Sequence, residues 1–169
     1  TGFLLRILPY ALGYENLIMG DTIREYEQVL FILENGDINF DFIYGQYPVL
    51  HLLIAFVSII TSLSPDFLFR WLPQLLATFG ALIVFLLLRE TTNDRIALLA
   101  AFIIATFGPN VWWSMKPVRE TIGLLVYPLL VYLYYKSFNN SNFLFPLVII
   151  SLVSIFTHHW SLLMVLILL

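Results

Sequence analysis

The chain has 169 residues, 60% of them hydrophobic, 17% aromatic and 11% charged, with a formal net charge of −3 and a mean hydropathy of +0.90. Soluble domains carry about 25% charged residues, so too few charges are present to clothe a water-facing surface. The composition excludes an ordinary soluble domain and points to an integral membrane protein. With no cysteine, disulfides, thiolate metal sites and a cysteine nucleophile are excluded too.

In chain order, residues 3–12 are apolar enough to be the exit of a membrane helix. The first polar island follows. Seven of the eleven acidic residues lie between Glu15 and Asp41, with Arg24 as the one basic residue among them. Asp21 and Thr22 predict a helix start, Thr22 and Glu25 standing at capping-box spacing. Ile23, Tyr26, Val29, Leu30 and Leu33 recur at helical spacing, with Arg24, Glu25, Glu27 and Gln28 on the opposite face, and Gly36 is the stop. This predicts an amphipathic helix lying in the membrane interface. An acidic, aromatic connector leads to Tyr47-Pro48.

Residues 48–64 are apolar but number only 17, against about 20 for a full span. They predict either a crossing or a partly inserted hairpin arm. Further apolar segments are expected over 67–88, 96–107 and 121–135. The last run, 143–169, is interrupted at Thr157-His158-His159-Trp160 and reads as one overlong helix or as two. A second polar island, 111–120, holds Trp112, Trp113, Lys116, Arg119 and Glu120. The chain starts at Thr1 and stops inside the apolar run 162–169, which predicts a piece of a longer protein: 1–13 the end of a first helix, 14–65 an outer loop, 66–169 a helix bundle.

Whether the two polar islands share one site depends on parity. If 48–64 turns back without crossing, Asp21, Glu120 and the histidines His158 and His159 face one side. Arg89, Arg95 and Lys136 then face the cytoplasm, as the positive-inside rule prefers. Lys116 and Arg119 would lie outside against that rule, which calls for a reason such as phosphate binding.

The order Arg6, Asp21, Glu34-Asn35-Gly36, Tyr47-Pro48, Arg70-Trp71-Leu72-Pro73 and Arg89-Glu90 resembles the GT-C membrane glycosyltransferases. The island 114–120 is similar to the second outer loop of oligosaccharyltransferase catalytic subunits, and the Tyr47-Pro48 arm resembles that of protein O-mannosyltransferases. The resemblance implies an all-α, polytopic transmembrane bundle with amphipathic juxtamembrane helices in the first outer loop. It implies a polyprenyl-phosphate sugar donor, a protein or glycan acceptor, an active face on the extracytoplasmic side of a plasma or endoplasmic reticulum membrane, and no nucleic acid. The acidic pairs of oligosaccharyltransferases are missing from both loops, so a divalent ion such as Mg or Mn is left open.

Sugar transfer from a lipid phosphate needs a group that activates the acceptor and cations for the departing phosphate. Asp21 suits the first role as base or metal ligand, and a helix cap is the plain structural alternative. Glu120, on the phosphate side with Arg119 and Lys116, is the second candidate catalytic residue; orienting Arg119, binding a metal or capping the following helix would each account for it. Arg119, Lys116 and Arg70 suit the second role, with snorkelling near helix ends as the alternative. His158 and His159 lie about 100° apart on a helix, so one of them could meet a metal or a phosphate while the pair would not chelate together. His51 ranks below them. A non-catalytic rival, a polyprenyl-lipid transporter, flippase or scaffold subunit, shares the composition; no internal repeat of the kind many transporters carry is visible.

Overall fold

The computed structural model describes residues 2–12, 20–41, 43–158 and 163, and among these every regular element is helical. The helices are α1 (Gly2–Ala11), α2 (Gly20–Asn35), α3 (Val49–Thr61), α4 (Pro65–Arg89), α5 (Asp94–Thr106), α6 (Gly108–Ser114), α7 (Arg119–Asn139) and α8 (Leu144–Ile155). The all-helical expectation holds. Two of these helices, α4 and α7, are long and apolar enough to cross a membrane. At 1.5 Å per residue α5 and α8 reach only about 20 Å, short of a hydrocarbon core of about 30 Å.

Local chemistry explains most boundaries. Ser64 caps α4 by accepting from the Phe67 amide, with Pro65 in the first turn. Asn93 does the same for α5 through Ile96. Gly36, at φ +70°, ends α2 as the sequence predicts. Gly108 and Pro109 open α6, since proline is tolerated in a first helical turn. α7 runs past the apolar segment 121–135 to end at Asn139.

The predicted orientation of α2 needs correction. The helix starts at Gly20, which places Thr22 and Glu25 inside it and not at a capping box. Its buried face is Thr22, Glu25, Gln28, Val29 and Ile32, while Ile23 is exposed. The polar face of the sequence reading is thus partly turned inward, because Glu25 meets His51 and Arg119 on other elements.

α4 and α7 run parallel and touch backbone to backbone. A Cβ added at Gly80 would stand 1.9 Å from the Leu124 carbonyl oxygen. α5 returns along α4, with Ala81 and Phe85 facing Leu98 and Ala105 across one groove. Arg6 on α1 is buried and donates from Nη1 to the Gly2 and Ala105 carbonyls, at 2.8 and 3.0 Å. It thereby satisfies the last turn of α5, where helix carbonyls lack intrahelical donors.

Apart from buried Arg6, the ion pairs among the described residues gather at two poles. At the far pole Arg89 meets Asp94 at 3.1 Å and Lys136 meets Glu90 at 2.6 Å. At the near pole lie α2, α3 and the starts of α4 and α7. Both ends of α3 stay there: the Val49 amide approaches the Phe156 carbonyl, and Ser62, at φ +59°, turns the chain straight into α4. The arm does not reach the far pole. Beneath it Val29, Leu50, Ile54, Phe69, Ile122 and Val126 form a core shared by α2, α3, α4 and α7.

Candidate functional site

Glu25 is 1% exposed and His51 fully buried; His51 Nε2 lies 2.5 Å from Glu25 Oε2. A carboxylate only accepts, so the imidazole carries its proton on Nε2. The other ring nitrogen, Nδ1, is buried without a hydrogen-bond partner among the described residues. The second oxygen of Glu25, Oε1, forms an ion pair with Arg119 Nε at 3.3 Å. Arg119 opens α7, and its guanidinium carbon sits 5.2 Å from the Tyr47 ring centre, within cation–π range. Tyr47 in turn lies 5.9 Å, ring to ring, from His158. His158 Nε2 meets Glu120 Oε1 at 3.0 Å, with the Glu120 side chain 41% exposed and that of His158 4%.

Two histidine–carboxylate pairs therefore bracket one arginine and one tyrosine. Four parts of the chain supply them: α2, the entry and first turn of α3, the start of α7 and the stretch that follows α8. Pro48 follows Tyr47 at the mouth of α3, restricting Tyr47 to extended backbone. The turn before α7 is pinned at the Lys116 carbonyl, which accepts from the Val118 amide at 2.9 Å and the Thr121 hydroxyl at 2.6 Å. Glu120 falls in the first turn of α7, where the helix dipole favours an acid.

The predicted residues are distributed as follows. Arg119, Glu120 and His158 come together. Lys116 stacks on Trp112 at 5.2 Å, three positions from Arg119. Asp21 stands exposed in the first turn of α2, one turn from Glu25. Arg70 donates from Nε to Asp66 at 2.9 Å and lines a separate cavity of about 80 Å³ with Thr22, Tyr26 and Phe69. Burial, then Asp66, push the Tyr26 phenol upward, while Arg70 acts in the opposite sense; the hydroxyl is held as a neutral donor. His159 lies outside the described residues.

Glu25, His51 and Tyr47 are the additions that the sequence reading missed or ranked low. A usable signal was present. A histidine inside an apolar arm has to find a buried partner, and the carboxylates upstream of it all belong to the acidic island that ends at Asp41. Among the described residues no three His, Asp or Glu side chains gather as ligands for a metal ion. One oxygen of Glu120 is engaged by His158, and the two oxygens of Glu25 by His51 and Arg119.

Compared with known proteins, the chain matches no protein family, no curated protein and no solved structure.

Proposed function

We propose that this chain is the membrane portion of a GT-C-type glycosyltransferase, which moves a sugar or oligosaccharide from a polyprenyl-phosphate donor to a protein or glycan acceptor at the extracytoplasmic surface. The observation that carries this reading is the Glu25–Arg119 ion pair. It joins the two polar islands at one pole, where a lipid phosphate and an aqueous acceptor can meet.

In this reading Glu120, partly exposed and held by His158, takes the acceptor hydroxyl proton. The acceptor oxygen forms its bond to the anomeric carbon as the bond from that carbon to the donor phosphate oxygen breaks. Arg119 and Lys116 stabilise the charge that the phosphate gains on leaving. Asp21, exposed at the start of α2, is the second carboxylate assigned to the acceptor side. Arg70, in its own cavity with Thr22 and Tyr26, is the outlying phosphate ligand.

The test is sugar transfer by the intact protein in vesicles, using short polyprenyl-phosphate sugars (mannose, glucose, N-acetylglucosamine). Glu120→Gln and Asp21→Asn are each expected to abolish transfer while leaving insertion unchanged. Full activity in one variant removes that residue from the mechanism. Lipid movement without any transfer supports the transporter reading instead. Single cysteines introduced at 21 and 120 are expected to label from one side and a cysteine at 93 from the other, because residue 93 belongs to the far pole; labelling of 21 and 120 from opposite sides ends the one-site reading.

A further inference from the structure

We infer that His51 and Glu25 are positioning residues for Arg119: the imidazole fixes the rotation of the Glu25 carboxylate, and the carboxylate fixes the guanidinium. This rests on the transferase reading and adds to it two residues which no substrate can touch.

The geometry gives three reasons. First, the two oxygens of Glu25 are divided between partners, Oε2 to His51 and Oε1 to Arg119, so turning the carboxylate about its own bond would disturb both contacts at once. Second, Tyr47, which lies against the guanidinium, stands four positions before His51. The mouth of α3 therefore locates Arg119 twice, once through the carboxylate and once through an aromatic face. Third, stability gives a poor account of the pair. Burying ionisable groups in an apolar setting is often no better than burying hydrocarbon of the same volume. Leucines and isoleucines surround His51 along α3, and another would satisfy packing alone. His51 is fully buried, so whatever it contributes passes through Glu25.

The experiment compares His51→Leu, His51→Gln and His51→Asn in the intact protein. Glutamine carries an amide N–H at about the reach of Nε2; asparagine carries it only at the reach of Nδ1. His51→Leu is expected to lower kcat/KM for the polyprenyl-phosphate sugar on the order of 100-fold, the loss that follows from misplacing a site group by about 1 Å. His51→Gln is expected to restore most of that loss and His51→Asn little of it, at equal thermal stability. Wild-type kcat/KM in His51→Leu overturns the inference. Should that variant fail to fold, equal activity of the glutamine and asparagine variants overturns it.

A second readout does not depend on turnover. The ring ¹⁵N signals of His51, assigned by their loss in His51→Gln, are expected to shift in both Glu25→Gln and Arg119→Gln. Unchanged signals in Arg119→Gln break the proposed link between His51 and Arg119. A wild-type protein that transfers nothing, yet shows the shift, refutes the transferase reading and leaves the coupling standing.

Discussion

Glu25 illustrates how a single side chain reorganises the reading of its helix. On spacing alone it belongs to the solvated face of α2, yet it is buried with a histidine and an arginine. Breaking a buried pair strands the remaining charge, which typically costs about 3–5 kcal/mol. Glu25→Ala removes the carboxylate that faces both His51 and Arg119, and a loss of that size is expected in thermal unfolding of the purified protein. Exposed Glu27 and Glu34 provide the contrast, with alanine substitutions there expected to stay within about 0.5 kcal/mol. Periodicity could not have revealed the difference. It identified which residues are apolar but not which polar ones find partners, and the partners of Glu25 lie 26 and 94 positions away. Arg119, Glu120 and His158 were legible because they stand out as charges between apolar runs; Tyr47 and His51 were not, because an aromatic and an imidazole in an apolar arm look like packing.

At the level of elements, breaks in composition located the helices well. Pro65, Asn93 and Gly36 fall where the chain starts or stops a helix. Gly108-Pro109 is an ambiguous signal, as the same dipeptide suits a turn or a first helical turn, the role it takes in α6. The α4–α7 contact was invisible in the sequence, because Gly80 looks like any glycine in an apolar helix until its neighbour is known. Gly80→Leu is expected to destabilise the protein by at least about 1–3 kcal/mol, the usual range for overpacking, and a melting curve checks it. Ser62 offers a change of the opposite sign. Its left-handed backbone at the end of α3 costs an ordinary side chain about 1–2 kcal/mol. Ser62→Gly is expected to recover part of that and raise the melting temperature; a lowered one would show that the Ser62 side chain contributes more than its backbone costs.

For the whole molecule, the notable feature is the segregation of ion pairs to two poles. Arg119 and Lys136 stand at opposite ends of α7, about 26 Å apart at 1.5 Å per residue, and the helix between Glu120 and Lys136 carries no charged residue. Outward-facing Leu75, Phe79 and Leu82 continue the same belt on α4. A water-soluble protein would tolerate an arginine at half-exposed Leu82; a chain set in a bilayer would not. Leu82→Arg is expected to oppose insertion by about 2.5–3.5 kcal/mol, read as the fraction recovered in membranes against a Leu→Ala control. Undiminished recovery would contradict a membrane setting for α4.

The bond between Glu25 and Arg119 also has a consequence for biosynthesis. The 94 positions between them take the ribosome roughly 5–20 s to translate at common elongation rates. His51 is therefore the first of the two partners of Glu25 to be made, 26 positions after it, and Arg119 the last.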